Sequence, residues 1–121
     1  ETITGPVAGM VELVEELDSA GVPMFGITNF SHEFWPPFRR QYAHVFDRFR
    51  DIVVSGEEKL AKPDPAIFHL ARERFGLGPG EGVFFDDRAD NAVASQANGF
   101  VGHHFTDADK ARAHLVALGL L

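Results

Sequence analysis

The sequence predicts an α/β fold in which a parallel sheet carries helices on both faces. Short apolar runs alternate four times with segments that read as helices. The runs are apolar along nearly their whole length, rather than at every second residue, as strands covered on both faces require. Each run stops at polar residues, and ligands in open α/β sheets bind beyond the carboxyl ends of the strands.

The composition fits one such domain. A length of 121 residues suits a single core, and 45% hydrophobic residues can fill it. Eighteen acids stand against 11 Lys and Arg, a formal net charge of -7. Phosphate-backbone binding needs a basic face, so nucleic acid is disfavoured as a partner, and anionic membranes are weakly disfavoured too. Without cysteine, disulfides and thiolate chemistry are excluded, and the redox compartment stays open. No apolar run reaches the length of a bilayer span, and the N-terminus lacks a signal-peptide pattern. A cytoplasmic location is expected. The first residue is Glu1 rather than Met, as in a processed or truncated chain.

The elements follow in order. Residues 7 to 20 read as a helix, because Val7, Met10, Val11, Val14 and Leu17 keep helical spacing and Gly21 can cap the end. Residues 22 to 28, "VPMFGIT", read as the first buried strand. "SHEFWPPFRRQYAHVF" holds a helix whose start is blurred by Pro36 and Pro37. "DIVVS", 51 to 55, is the second strand. "KPDPAIFHLARERFG" is a helix with Asp64 as N-cap, Pro65 at its first position and Gly76 at its C-terminal end. "GVFFD", 82 to 86, is the third strand. "ADNAVASQANG" is a helix closed by Gly99. "FVGHHF", 100 to 105, is the fourth strand, and Asp107 caps a last helix that ends near Gly119.

The strand ends carry the chemistry. Thr28, Asn29 and Ser31 follow the first strand. Ser55 and Gly56 follow the second, with Lys62 shortly after. Asp86 and Asp87 close the third. Parallel neighbouring strands would bring these groups to one rim. Adjacent carboxylates repel, so the aspartate pair needs solvent or a counter-charge. Mg2+ would supply one: it takes hard oxygen ligands, commonly one or two carboxylates with waters and a substrate phosphate. Read alone, one Asp could instead cap the next helix while the other is solvated. Lys62 could hold a phosphoryl group as a point charge, or be an ordinary solvated lysine. Thr28 and Asn29 could donate to phosphate oxygens or serve turn chemistry. Three strand ends, each delivering a group suited to a metal phosphate, favour the functional reading. His103 and His104 read as core edge or surface. His32 reads as a helix-start polar residue. Phe34 and Trp35 could line a pocket or pack in the core.

Taken together, "ITNFS", "KLAKPDPAIF" and "VFFDDRADNAVASQANG" resemble motifs two, three and four of the haloacid dehalogenase-like (HAD) superfamily hydrolases. The double Asp is similar to the phosphatase branch. The resemblance runs from about Pro6 to Leu121. It implies a Rossmann-like HAD core, incomplete because the N-terminal strand and the cap are missing, so that residues 1–121 form the C-terminal portion of the core domain. It implies that Thr28, with Asn29, binds the transferring phosphoryl, and that Lys62 balances charge on phosphate and nucleophile. Asp87 aligns with the magnesium ligand, and Asp86 would support the metal or its waters. Asn91 stands where many relatives carry a further acid, and Asp90 is one position off.

The family's first motif, Asp-x-Asp, supplies its nucleophile and its general acid/base. No match precedes Thr28. Asp107-Ala-Asp109 has the pattern but follows motif four and reads as a helix cap. The missing strand is central in the family, between the strands ending at Thr28 and Asp86, and its loss would leave unpaired edges. A longer parent, another segment or a homo-oligomer would fill the gap.

The implied activity is Mg2+-dependent hydrolysis of a small phosphorylated metabolite through an aspartyl-phosphate. Dehalogenation of a 2-haloacid is the second reading, disfavoured because such relatives lack the Asp pair. A non-catalytic phospho-receiver would order its groups as acids, Thr and Lys, unlike this chain. A degenerate fragment without activity is the remaining alternative.

Overall fold

The structure, a computed structural model, describes residues 9–121. The expected first turn of the leading helix, residues 7 and 8, lies outside the described residues. Helix α1 (Met10–Ser19) closes with two bonds typical of a left-handed terminus: Gly21 N–H to Asp18 O and Val22 N–H to Leu17 O. Gly21 takes φ 75° there, which a residue without Cβ adopts freely.

Strand β1 (Phe25–Thr28) follows, then α2 (Trp35–Gln41) and the short α3 (Ala43–Phe46). Pro36 and Pro37 occupy the first turn of α2, where a missing N–H costs nothing. Strand β2 (Asp51–Val54) runs into a single helical turn, α4 (Ser55–Glu58). Helix α5 (Pro65–Phe75) is bounded as its sequence predicts: Asp64 accepts from the Ala66 N–H, and Gly76 turns left-handed with φ 70°. Strand β3 (Gly82–Asp86), α6 (Ala89–Ala97), β4 (Phe100–His104) and α7 (Ala108–Ala117) complete the order.

Strand bounds differ from the sequence reading, and the fourth strand closes at His104 rather than Phe105. The first strand begins at Phe25 rather than Val22, because it pairs residue for residue with only four partners, Phe25 with Asp51 through Thr28 with Val54. Ser55 begins α4 instead of ending β2, because its hydroxyl and the Gly56 N–H turn toward the Phe30 backbone.

All strand pairing among the described residues is parallel. It forms two ladders, β1 with β2 and β3 with β4, the latter in register from Gly82–Phe100 to Asp86–His104. Helix α5 joins the ladders from one face. Its Ile67, Phe68 and Ala71 are fully buried against Ile27 and Val53 of the first ladder and Phe84 and Phe100 of the second. Phe85, one residue on from Phe84, points the other way and packs with Leu13 of α1 and Phe105, Ala111 and Leu115 around α7. That reversal between neighbours places helices on both faces, as expected for period-two side chains. A third cluster, Val14, Met24 and Val45, ties α1 to α3.

Candidate active site

The third strand delivers Asp86 to its carboxyl end as a buried acid, 8% exposed. A buried carboxylate must be paired and hydrogen-bonded. Here Oδ1 accepts from the Arg88 N–H at 2.9 Å. Oδ2 accepts from Lys62 Nζ at 2.6 Å and from Asn91 Nδ2 at 3.3 Å. The Lys62 ammonium also lies 5.6 Å from the centre of the Phe84 ring, within cation–π range. Burial pushes the Asp86 carboxyl pKa up, but the Lys62 hydrogen bond and charge, with the Arg88 N–H and the Asn91 amide, outweigh it and hold the pKa below its ordinary value. Lys62 therefore compensates the acid at the strand end. Arg88, adjacent in sequence, forks onto Asp90 instead, with two contacts of 3.1 Å.

The second group on the rim comes from β1. Asn29 uses both ends of its amide on Lys62. Oδ1 accepts from the Lys62 N–H at 2.9 Å, and Nδ2 donates to the Lys62 carbonyl at 3.0 Å. Ser55, at the end of β2, holds the next residue: its Oγ accepts from the Phe30 N–H at 2.9 Å and donates to the Phe30 carbonyl at 3.2 Å. The Gly56 N–H donates to the same carbonyl at 2.9 Å. Gly56 permits this approach, because a Cβ there would collide with the His32 nitrogen and the Phe30 carbonyl oxygen. Thr28 ends β1, half-buried, opposite Val54. Among the described residues no hydrogen bond engages its hydroxyl. A cavity of about 380 Å3 lies beside these loops, lined by Asn29, Phe30, Ser31, Ser55, Lys59 and Leu60 among others.

The structure thus joins Asn29 to the Lys62 main chain and the Lys62 ammonium to Asp86. Asp87 stands beside them, exposed, its carbonyl oxygen accepting from His104 Nε2 at 2.9 Å. The N-cap position of α6 is Arg88, which makes no side-chain cap bond, and Asp86 Oδ1 accepts from its N–H. Asp107 does cap α7, through the Lys110 N–H at 2.8 Å. Trp35 is buried and packs on Phe30, Phe38 and Phe46, whereas Phe34 and His32 are exposed. His103 stacks between Phe85 and His114. Ser55 was legible only as a polar strand end. Its partner lies 25 residues away, and the signal that it mattered was the Ser-Gly pair at the end of an apolar run.

A divalent metal fits part of this rim. Among the described residues no cluster of three or more His, Asp or Glu gathers. The oxygens of Asp86 are engaged already. Asn91 Oδ1, however, is a buried acceptor without a hydrogen-bond partner among the described residues, on the helix that starts behind Asp87. An amide oxygen and an exposed carboxylate are the hard donors that Mg2+ takes, with remaining positions left to water or substrate oxygens.

A model of haloacid dehalogenase-like hydrolases matches residues 2–99. The chain belongs to this family. Within it, the HAD-like chain is 32% identical over 102 residues to a sesquiterpene phosphatase (astK) of Aspergillus oryzae, covering 84% of this chain and 52% of that protein. It is 33% identical over 79 residues to (S)-2-haloacid dehalogenase 4A of Burkholderia cepacia, covering 64% of this chain and 33% of that one. The chain therefore spans about half or less of these relatives. A HAD family enzyme of Bacteroides thetaiotaomicron, solved in complex with magnesium and inorganic phosphate, superimposes with a TM-score of 0.71 at 27% identity, over 88% of this chain and 56% of that one.

Proposed function

We propose that the intact protein is a magnesium-dependent hydrolase of small phosphomonoesters that works through an aspartyl-phosphate. The nucleophilic Asp lies outside this chain, on a segment that also completes the sheet between β1 and β3. The observation that carries the reading is the Lys62–Asp86 pair at the strand rim, tied to the end of β1 by Asn29, the residue after Thr28.

Each residue has a task in phosphoryl transfer, which is mostly positioning and electrostatic stabilisation. Thr28 donates its hydroxyl to a phosphoryl oxygen. Lys62, held against Asp86, stabilises the negative charge that the phosphoryl oxygens and the attacking carboxylate bring together. Asp87 is the metal ligand on this chain, with Asn91 Oδ1 behind it. Bound Mg2+ supplies neutralisation of phosphate charge. Asp86 sits one layer deeper and orients Lys62 while supporting the metal's surroundings.

Dehalogenation of a 2-haloacid is the second reading, and the haloacid dehalogenase relative is what favours it. That chemistry uses no metal, so the adjacent Asp86 and Asp87 favour the phosphatase.

The test is phosphate release from a panel of phosphomonoesters, and halide release from 2-chloropropionate, by the intact protein. Wild type is expected to release phosphate and not halide. Lys62→Met and Asp87→Ala are each expected to lower phosphate release by about 100-fold or more, the scale of losing one transition-state charge contact. Halide release, or full phosphatase activity in Asp87→Ala, would overturn the reading.

A further inference from the structure

We propose that Asn29 is a positioning residue for Lys62, and that it does not bind the phosphoryl group through its side chain. This rests on the phosphatase reading above, in which Lys62 is the charge-stabilising group. An Asn side chain offers one carbonyl oxygen and one amino group. Here the oxygen takes the Lys62 N–H and the amino group donates to the Lys62 carbonyl. The amide pairs with the lysine main chain as one peptide group pairs with another, across 33 residues of sequence. No other side chain of that length provides both an acceptor and a donor in this arrangement. Asp lacks the donor, and Leu lacks both.

The geometry explains why such a clamp is needed. Lys62 lies between α4 and α5, outside every helix and strand, so no ladder fixes its backbone. Its flexible four-carbon stem carries large rotamer entropy. Held only by its ammonium on Asp86, the residue could swing about that point. Asn29 fixes the other end. Asn29 in turn is anchored, because its neighbour Phe30 is bound by Ser55 and Gly56 at the end of β2. The series Ser55, Phe30, Asn29, Lys62, Asp86 runs from the first strand ladder to the second. It sets the ammonium of one loop against the carboxylate of another strand.

Two readouts on the intact protein test this. The first is steady-state kinetics. Asn29→Ala is expected to lower kcat about 10- to 100-fold, the cost of a small misplacement of a catalytic group, with KM within about twofold. In a Lys62→Met background the same change is expected to add less than about twofold, as residues acting as one unit are non-additive. Asn29→Asp keeps the size and the acceptor but loses the donor, and is expected to fall between wild type and Asn29→Ala. A raised KM with unchanged kcat, or full additivity with Lys62→Met, would overturn the proposal in favour of a phosphate ligand. The second readout is amide hydrogen exchange, which needs no activity. The Lys62 N–H is expected to exchange faster in Asn29→Ala and in wild-type pattern in a Ser31→Ala control. If wild type releases no phosphate, the phosphatase reading fails while exchange still judges the clamp. Unchanged Lys62 exchange in Asn29→Ala overturns the clamp whatever the activity.

Discussion

Asp86 and Lys62 form an ion pair whose side chains are 6% and 11% exposed. Such a pair gives modest net stability, but removing one member strands the other. Asp86→Asn is therefore expected to cost about 3–5 kcal/mol of unfolding free energy, read from the urea midpoint. Replacing both, as Lys62→Met with Asp86→Leu, is expected to cost much less while abolishing turnover. The pH dependence follows from the lowered Asp86 pKa. The folded state binds the proton less well than the unfolded one, so this contribution is complete above the ordinary carboxyl value of 3.8 and is lost as pH falls below it. Asp86→Asn should flatten stability against pH in that acidic window.

His103 acts at higher pH. Burial, and then the neighbouring His114, lower its pKa from 6.5. A depressed imidazole is held neutral by the fold, so its contribution is complete above 6.5 and declines as pH drops through that value. His103→Phe, which keeps the stacked ring, is expected to flatten the slope of stability below pH 6.5, followed by chemical denaturation at each pH. At this scale the sequence was only partly readable. The adjacent aspartates announced that a counter-charge was needed, and the nearest candidate in the chain was Arg88. The actual partner, Lys62, is 24 residues away, and Arg88 serves Asp90. Local sequence states a need; the fold decides who meets it.

Helix α5 shows the element scale at its most legible. Asp64, Pro65 and Gly76 mark its ends in sequence, and the structure uses each of them so. Asp64→Ala is expected to cost about 1 kcal/mol through the lost cap. Phe68, fully buried between Phe84 and Phe100, is expected to cost about 3–5 kcal/mol as Phe68→Ala. Both are read from thermal or urea midpoints. Helix α6 is less legible. Gly102 lets it lie against β4, because a Cβ there would meet the Ala92 carbonyl oxygen and the Ser95 hydroxyl. The glycine is visible in the sequence, but nothing local says what it must admit. The start of β1 is hard to read for a related reason: Val22 to Met24 are apolar enough for a strand, yet the pairing partner sets the length.

Across the whole molecule, four nearly all-apolar strands foretold the parallel sheet and its two helical faces, because strands buried on both sides have no polar alternation to show. What they could not show is the division into two ladders, which depends on which edges meet. Helix α5 spans that division with one continuous core, and the Asn29–Lys62–Asp86 contacts span it at the rim. The HAD-like family frame explains why the conspicuous residues gather at one end of the strands. In our proposal the activity belongs to the intact protein, where we place the nucleophile.

The most direct measurement is inorganic phosphate released from small phosphomonoesters by the intact protein, before and after stripping divalent metal with EDTA and again after adding Mg2+. We expect release to fall at least about 100-fold on chelation, as the loss of a metal's charge stabilisation implies, and to return with Mg2+. Turnover that is unchanged in EDTA, or that never appears with any phosphomonoester, would contradict the account.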